Sequence, residues 1–578
     1  MSLKLLLATE EGDAYLKQDV PLIQAAQAER PERIDQAQSP GPSHLADDGA
    51  SPNDLLAQRW SVVVPEEGGD ELLERIRPLI ELRQNEQGRP ICSYAAGKSP
   101  IAEGKPFKVP RGQSVQQAAQ WIQDNLNRIP YALRPRYLLL LGGPDQISME
   151  LQQALSVYYF VGRVAFLTLD GYSDYAAKVA AYARPERWQS SVRALTYAVR
   201  TRTGIEAPDD GYARLLVPVR KYTENVLNQC PLAFADVSPG PEQASARNLL
   251  EHARAASPTI LLSVSHGQGR SNKWSDGDQR RFQGQMSFGA EHEPLSADLV
   301  RQGAFLPGGL WFYFACYGAG TPGTSPYHHW LQRFSQDYDV MGSLPRNGVP
   351  FLSALPLTAL ANPQGPLAVI GHMDLAWNYS YDGRLTGEST DAQGGRESRT
   401  GERSGHVERM AELTRLARRS EHPTRIGQVF RSILGDLPQV QDDLTQMYDR
   451  DAAQGAGSDA SEISLQRAKL WMLRQDLRAY VLLGDPAAYL PVQPKPKPEV
   501  STDAADLIGF APTSATPAVR SELALESVVT GVLDCICEDK TPKAVAAALG
   551  VDKAEVEKWR DVYMQAGRAA LARALGKD

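Results

Sequence analysis

The chain has 578 residues, which is too long for one hydrophobic core, so we expect two to four domains. Hydrophobic residues make up 42% of it and charged residues 22%, as is ordinary for a globular protein in water, and the net charge of −8 argues against a surface that coats nucleic acid. The sequence contains no run of 18 apolar residues, so we expect no membrane span and no membrane partner.

Cysteine usage indicates a reducing compartment. The chain has five cysteines, Cys92, Cys230, Cys316, Cys535 and Cys537. A small, odd number does not suggest a disulfide framework and favours the cytoplasm. The last two lack the spacing and the partner residues of a zinc site, so we interpret them as helix-core residues.

The first residues predict a strand rather than a secretory signal. The apolar residues up to position 8 are followed at once by Glu10 and Glu11, and no convincing cleavage site follows them. The sequence then becomes rich in Gln, Ala, Pro, Ser and Asp, which favours loops. We therefore expect residues 1–55 to be an N-terminal strand followed by a loop-rich segment.

Strands and helices alternate along residues 56–200, which we assign to an α/β subdomain. The predicted strands are 60–65, 136–143 and 157–164, and the predicted helices are 70–83, 113–126 and 173–183. The run at 136–143 is apolar throughout and closed by glycines, as expected for a strand that is buried on both faces.

The alternation continues through residues 201–493, which we assign to a second α/β domain. Its predicted strands are 215–218, 260–265, 285–289, 310–315, 367–371 and, with a sharp turn at its end, 479–486. Its predicted helices are 241–256, 296–301, 327–335, 407–419, 425–448 and 463–478. Residues 270–283 and 382–406 are predicted loops, and we expect one of them to gate the site described below or to be cleaved.

A Pro-rich linker at 494–520 leads to a helical module at 521–578. Two predicted helices, 543–549 and 553–565, flank a turn at Gly550 and Val551, and Asp552 can cap the second helix. The amino-acid sequence of these two helices and their turn is similar to transposase-type helix-turn-helix segments. The module carries ten acidic and eight basic residues, so we favour recruitment of a protein partner or activator over DNA binding.

Two predicted strands end in reactive side chains. The strand at 260–265 runs into His266 and Gly267, and the strand at 310–315 runs into Cys316. Functional groups of parallel sheets collect beyond the carboxyl ends of the strands. A thiolate attacks carbonyl carbon readily, and an imidazole can take the thiol proton and return it to a leaving amine. The pair is therefore a candidate nucleophile and base.

The spacing of the pair strengthens this interpretation. Cys316 lies 50 residues after His266, and the surrounding Phe-Ala-Cys-Tyr-Gly departs from the caspase signature Gln-Ala-Cys-x-Gly only at the Gln among its defined residues. A lone buried His or free Cys is more often a core residue than a catalytic one. His372 also follows an apolar strand and a glycine, but no nucleophile lies at a matching distance, so we predict that it lines the pocket.

Residues 136–490 resemble the caspase and gingipain clan of cysteine peptidases, most closely bacterial gingipain-like and CHAT-type proteins. The matching pieces are Leu-Leu-Gly-Gly-Pro-Asp at 140–145, Tyr-Phe-Val-Gly-Arg at 159–163, Ser-His-Gly at 265–267, Ala-Cys-Tyr-Gly at 315–318, Gly-Pro-Leu-Ala-Val-Ile-Gly at 365–371 with Trp377, and Leu-Gly-Asp-Pro at 483–486. Each motif is short, but their order and spacing are specific.

The resemblance implies a caspase-like three-layer α/β/α sandwich with a mostly parallel sheet and a His266–Cys316 dyad. It places the oxyanion at the backbone N–H groups of Gly267 and Cys316, and it places Trp377 in the wall of the substrate pocket. It implies no cofactor, although some clan members use calcium. Basic-residue-cleaving members carry an acidic pocket residue that is missing here at 153–157, and Asp374 could replace it.

Asp145 and Asp170 are alternatives to Asp374 as the pocket acid. The leading hypothesis is a cytoplasmic bacterial cysteine endopeptidase that a partner or signal switches on, in defence or in cell death. Two other hypotheses stay open at this point. One is a catalytically silent caspase-like scaffold or adaptor, and the other is a DNA-binding regulator with a protease-like domain.

Overall fold

The computed structural model describes most of the chain up to residue 494 and part of the C-terminal region. The described residues are 2–8, 20–22, 50–96, 101–226, 232–289, 291–327, 340–381, 405–419, 422–454, 460–494, 545–546, 551–554 and 556–560. The chain divides into two compact units, Met1–Pro496 and Lys497–Asp578. All of the predicted helix at 327–335 except Tyr327, and most of the predicted loop at 382–406, lie outside the described residues.

Short and medium strands recur along the first unit. In chain order they are β1 (Ser2–Leu3), β2 (Leu7–Ala8), β3 (Val20–Pro21), β4 (Trp60–Pro65), β5 (Cys92–Tyr94), β6 (Ile101–Glu103), β7 (Phe107–Val109), β8 (Tyr137–Leu141), β9 (Phe160–Val164), β10 (Val192–Ala198), β11 (Leu232–Asp236), β12 (Thr259–Val264), β13 (His266–Gln268), β14 (Met286–Ser287), β15 (Leu310–Phe314), β16 (Gly320–Thr321), β17 (Phe351–Leu352), β18 (Ala368–His372) and β19 (Tyr480–Gly484).

Ten of these strands form one sheet, in the order β11-β10-β12-β15-β18-β19-β9-β8-β4-β7. Every neighbouring pair is parallel except β18 and β19, which are antiparallel. The sheet therefore consists of two parallel halves of five strands that meet at this seam. Strands from both predicted α/β regions contribute to it, and β19 carries the chain from the second region back beside the first.

Helices occupy much of the chain between the strands. They are α1 (Leu55–Gln58), α2 (Gly69–Arg75), α3 (Arg77–Gln87), α4 (Val115–Asn125), α5 (Met149–Ser156), α6 (Leu169–Tyr182), α7 (Ala207–Gly211), α8 (Val217–Val226), α9 (Ala246–Ala253), α10 (Asp276–Phe282), α11 (Ala297–Arg301), α12 (Ala354–Ala361), α13 (Gly405–Ala411), α14 (Ile426–Ile433), α15 (Leu437–Gln454) and α16 (Ala460–Ala479). Shorter 3-10 turns lie at Tyr131–Leu133, Pro185–Arg187, Val340–Ser343, Asn378–Ser380 and Glu412–Ala417, and one π-helical turn lies at Tyr212–Leu216.

Alternate residues of the strands face two separate cores, which is why apolar runs appear unbroken in the sequence. In β8, Leu139 packs with residues of α2, α3 and α6, whereas Leu138 and Leu140 pack with residues of α4 and α5. Side chains of successive strand residues point to opposite faces of a sheet. This half of the sheet is therefore covered by helices on both faces, and the fold is a mixed α/β fold built on a large, mostly parallel sheet.

Two local predictions were wrong. Residues 215–218 form the end of the π turn and the start of α8, not a strand, because a short apolar run fits a buried helix as well as a strand. Residues 270–283, predicted as a loop, contain α10, which begins with a capping box between Ser275 and Asp278. In addition, the helix predicted at 425–448 is divided into α14 and α15.

The C-terminal unit is described only in part. Helical backbone occurs at 545–546, 553–554 and 556–560, on either side of a bend at Val551. Val545, Ala546 and Val556 form a small buried cluster, with Val551 and Trp559 against it. Parts of both predicted helices, and the turn residue Gly550, lie outside the described residues, so the helix-turn-helix stays a prediction.

A buried ionic cluster ties the end of β19 to the first half of the sheet. Arg83 of α3 donates to Asp485 at 2.7 Å and to Glu86 at 2.7 Å, and both Arg83 and Asp485 are almost completely buried. Trp60 Nε1 donates to the other Asp485 oxygen at 2.9 Å. Arg425 adds a second guanidinium to Glu86, at 3.0 Å. The cluster therefore holds together segments that are about four hundred residues apart in the sequence.

We expect Asp485→Asn to lower the free energy of unfolding by about 3 kcal/mol, because it removes one carboxylate from a buried guanidinium. Urea unfolding measures this change. The matched control is Asp70→Asn, since Asp70 pairs with Lys108 at 3.1 Å on the surface and such pairs contribute about 0–1 kcal/mol. Equal losses in the two variants would contradict the role that we assign to the cluster.

Candidate active site

Two neighbouring strands bring the predicted catalytic residues to one edge of the sheet. β12 and β15 pair in parallel register, with Val264 opposite Phe314, and Ser265 N–H extends the pairing to the Phe314 carbonyl. His266 and Cys316 each follow two residues after these partners. The two side chains therefore leave the sheet from adjacent strands, at the carboxyl ends.

The backbones after the two strands are in close contact. A Cβ atom on Gly267 would lie 1.9 Å from the carbonyl oxygen of Cys316, so any side chain at position 267 would force the segments apart. Tyr317 has a φ of 56°, in the left-handed region, and this turns the chain sharply after Cys316. Tyr317 N–H donates to the Asp374 carbonyl at 3.0 Å, which supports the turn.

A carboxylate that we did not predict holds His266. Nε2 of His266 lies 2.9 Å from Oε2 of Glu206, the residue that precedes α7. The hydrogen bond to His266 lowers the pKa of Glu206, so its carboxylate stays ionised and accepts a hydrogen bond from the ring. The capping pattern of Glu206 with Asp209 is visible in the sequence, but it gives no indication of a contact across 60 residues.

The second ring nitrogen of His266 has no hydrogen-bond partner. Nδ1 is buried, and His266 as a whole is 9% exposed. Because the ionised Glu206 can only accept, Nε2 carries the proton in the neutral ring and Nδ1 keeps its lone pair. The arrangement leaves Nδ1 free to accept a proton from another group.

Cys316 is completely buried, and backbone groups surround its sulfur. Sγ lies 3.2 Å from the Ala376 nitrogen and 3.4 Å from the Ala376 oxygen. Burial raises the pKa of the Cys316 thiol, and the nearby Asp374 raises it further, although the Ala376 N–H acts in the opposite direction. The thiol is therefore protonated near neutral pH in this arrangement.

The two predicted oxyanion donors converge on one oxygen atom. The N–H groups of Gly267 and Cys316 both donate to the Leu6 carbonyl, at 2.8 and 3.1 Å. Leu6 N–H in turn donates to the Ala376 carbonyl at 3.0 Å, close to the Cys316 sulfur. The N-terminal segment, residues 4–8, thus lies directly over the two strand ends.

The three predicted pocket residues follow β18 or end it. Trp377 is buried, with its ring centroid 5.6 Å from that of Tyr327, and its backbone bridges to Leu5. Asp374 is buried, and its carboxyl accepts from Ser325 Oγ and from Leu375 N–H, both at 2.7 Å. His372 is completely buried, with its ring 4.2 Å from that of Tyr480.

Burial has opposite effects on the two ionisable pocket residues. It lowers the pKa of His372 to about 3, so the ring is neutral. It raises the pKa of Asp374 to about 7, in spite of the two hydrogen bonds that this carboxyl accepts. The Asp374 carboxyl is therefore only partly ionised at neutral pH.

The alternative pocket acids lie at other contacts. Asp145 is 3.8 Å from Arg111, and Asp170 is an exposed partner of Arg75. Asp145 also lines a cavity of about 670 Å³ together with Arg280 and Arg301, and neither His266 nor Cys316 contributes to that lining. The structure therefore brings Asp374, rather than Asp145 or Asp170, next to Cys316.

Within the described ranges, no three or more His, Cys, Asp or Glu side chains come together as a metal site. The calcium ion that the sequence resemblance allows stays a prediction. Cys92 is also buried as a free thiol, but it lies on β5, which pairs with β6 rather than with a strand of the ten-stranded sheet.

Comparisons with known proteins find few similarities to this chain. No family model matches it, and no curated protein matches it. A solved structure described as "Structure of Protease" is 12% identical in sequence, with a TM-score of 0.40. The match covers 75% of this chain and 78% of that chain. A likeness at this level carries no argument about activity. In the described part of the chain, no helix is both long and apolar enough to cross a membrane.

We expect Gly267→Ala to separate the two strand ends, because its Cβ cannot occupy a position 1.9 Å from the Cys316 oxygen. Overpacking of this kind costs about 1–3 kcal/mol, so the thermal midpoint should fall, and hydrogen exchange in a peptide containing Cys316 should become faster. Gly240→Ala is the control, since a Cβ there meets nothing within 4 Å. Unchanged exchange in Gly267→Ala would contradict the close contact.

The raised pKa of Asp374 predicts a pH dependence of stability. Between its ordinary value of 3.8 and about 7, the folded state keeps a proton that the unfolded state releases, so stability falls as pH rises through this window. The slope is on the order of 1.4 kcal/mol per pH unit.

Asp374→Asn should flatten the thermal-midpoint profile between about pH 5 and 7. The amide can still accept from Leu375 and can donate to Ser325. The control is Asp298→Asn, because the Asp298 side chain is about half exposed and its hydrogen bond with Arg281 lowers its pKa. A variant with the wild-type slope would show that the carboxyl is ionised throughout the window.

Proposed function

We propose that the protein is a cysteine endopeptidase with Cys316 as nucleophile and His266 as general base and acid. The observation that carries the proposal is the convergence of the Gly267 and Cys316 N–H groups on one carbonyl oxygen, at 2.8 and 3.1 Å. Oxyanion sites place donors about 2.7–3.1 Å from the oxygen that becomes charged. A peptide carbonyl at that point is held by the N–H group of Cys316 and by that of the residue directly after His266.

The proposed reaction has two steps, formation of a thioester on Cys316 and its hydrolysis. His266 Nδ1 takes the thiol proton while Sγ attacks the carbonyl carbon, and the resulting oxyanion is held by the two N–H groups. When the carbon–nitrogen bond breaks, the leaving amine takes the proton from His266 and a thioester remains. Water then attacks the thioester with His266 as base, which releases the carboxylic acid product and restores the thiol.

Glu206 acts through His266. It accepts from Nε2 at 2.9 Å, which orients the ring and stabilises the imidazolium formed when Nδ1 takes the thiol proton. Because burial raises the pKa of Cys316, little thiolate exists before the substrate binds, and the proton must be removed during attack. We therefore propose general-base catalysis rather than a preformed thiolate–imidazolium pair.

We also propose that the fold is a caspase-like three-layer sandwich. Two observations support this fold: the mostly parallel sheet has helices on both faces of one half, and His266 and Cys316 lie at strand ends. The cytoplasmic location, the part in bacterial defence or cell death, and recruitment through residues 521–578 rest on the sequence alone. Trp377, Asp374 and His372 are proposed to shape the substrate pocket.

A survey of new protein N-termini in a native proteome tests the proposal, with wild type compared with Cys316→Ala. We expect cleavages only with wild type, and a loss of about 100-fold or more in rate for His266→Ala. Cys92→Ala removes the other described buried thiol and should retain activity. A Leu6→Gly variant is tested in parallel, because residues 4–8 shield the site. Cleavage that survives Cys316→Ala, or that is absent from wild type and Leu6→Gly alike, would reject the proposal.

A further inference from the structure

The N-terminal segment, residues 4–8, runs through the candidate active site as an extended strand. Before Leu6 it pairs in antiparallel fashion with the residues after β18. Lys4 N–H donates to the Asn378 side chain at 2.8 Å, Asn378 N–H donates to the Lys4 carbonyl at 2.9 Å, and Leu6 N–H donates to the Ala376 carbonyl at 3.0 Å. This ladder fixes the direction and register of the segment.

The chain continues past Leu6 without leaving the site. Leu7 and Ala8 form β2, which pairs in parallel with β13, and Gly269 N–H donates to the Ala8 carbonyl at 2.8 Å. Main-chain hydrogen bonds therefore hold the segment on both sides of the Leu6 carbonyl. Strand addition of this kind is how many proteins bind an extended peptide, with side-chain pockets supplying the specificity.

Leu6 occupies the position of the residue whose carbonyl is attacked, since its oxygen lies at both oxyanion donors. We propose that the enzyme takes peptides with a leucine-like apolar residue directly before the cleaved bond and a lysine or arginine two residues earlier. In this numbering the cleaved bond corresponds to Leu6–Leu7 and the earlier residue to Lys4. The inference rests on the proposed peptidase function and names the substrate class of the same site.

Burial of the segment supports the apolar preference. Leu6 and Leu7 are 0% exposed and Leu5 is 4% exposed, so all three side chains are enclosed by protein. A cation in place of Leu6 would need a carboxylate. The acid beside Cys316 is Asp374, whose oxygens already accept from Ser325 and Leu375. Burial also raises the pKa of Asp374 to about 7, which reduces the charge that it could offer.

The contacts of Lys4 support the basic preference. Its Nζ lies 2.8 Å from Oδ2 of Asp210 and 2.6 Å from the Ile205 carbonyl. The Lys4–Asp210 pair is mostly buried, with 22% and 17% of the two side chains exposed. The same part of the chain, around α7, also supplies Glu206. An incoming lysine or arginine therefore meets a carboxylate and a carbonyl, whereas a glutamate meets like charge.

Fluorogenic peptides test both preferences on the full chain. The set is acetyl-Lys-Leu-Leu, acetyl-Lys-Leu-Arg, acetyl-Lys-Leu-Asp and acetyl-Glu-Leu-Leu, each joined to an aminocoumarin. We expect kcat/KM for Lys-Leu-Leu to exceed each of the other three by about tenfold or more. Asp210→Asn should reduce the preference for Lys over Glu and retain the preference for Leu, whereas Asp298→Asn, on α11, should change neither.

The behaviour of the chain's own segment is a second readout. Mass measurement of the purified protein shows whether residues 1–6 have been removed by cleavage at Leu6–Leu7. If the chain stays intact, Leu6→Gly should hydrolyse acetyl-Lys-Leu-Leu-aminocoumarin faster than wild type, because the competing segment binds less tightly. An intact chain whose Leu6→Gly variant is folded but no faster would overturn the inference.

Inhibition by peptide aldehydes tests the same preferences on the wild-type protein, without any substitution in the chain. Cys316 Sγ adds to the aldehyde carbon and the thiol proton passes to the aldehyde oxygen, so the adduct forms without a leaving group. Acetyl-Lys-Leu-leucinal should inhibit at concentrations about tenfold or more below those of the argininal and aspartal counterparts. Cleavage or inhibition that favours Arg or Asp would overturn this inference and leave the peptidase proposal standing. Failure of wild type and Leu6→Gly alike to cleave any member of a complete peptide library would reject the peptidase itself.

Discussion

The site depends on the close contact between the backbones of Gly267 and Cys316. Parallel pairing of β12 with β15 brings the two strand ends side by side, but only a residue without a Cβ lets them approach until both N–H groups point at one oxygen. The left-handed conformation of Tyr317 then turns the chain directly after Cys316. The proposed base, nucleophile and oxyanion donors thus come from the two segments that directly follow β12 and β15, on one sheet.

The antiparallel seam between β18 and β19 joins the two parallel halves of that sheet. β18 leads to Asp374, Ala376 and Trp377, whereas Asp485, just after β19, ends in the buried cluster with Arg83. The segment that follows β18 and contacts Cys316 is therefore connected, through the pairing of β18 with β19, to the first half of the chain.

Much of the sheet could be predicted from the sequence, since buried strands appear as unbroken apolar runs, such as β4 and β8. The strand-end positions of His266 and Cys316 followed from the same runs. The residues 215–218 were misassigned because a run of four apolar residues has no readable period. Glu206 and the course of residues 4–8 could not be predicted, because each makes its contacts across 60 to 374 residues of sequence. The roles proposed for Trp377 and Asp374 still rest on the resemblance and on their position beside the candidate active site.

Residues 4–8, which cover the candidate active site, are part of the same chain, and this sets a threshold for any competing peptide. A segment attached to its own binding site is present at an effective concentration of about millimolar, whatever the concentration of the protein. A free peptide that made the same contacts as residues 4–8 would bind with an apparent affinity equal to its intrinsic affinity multiplied by the fraction of molecules in which residues 4–8 have left the site. Abundant substrates, or a partner that draws the segment away, would then overcome a barrier that sparse peptides do not.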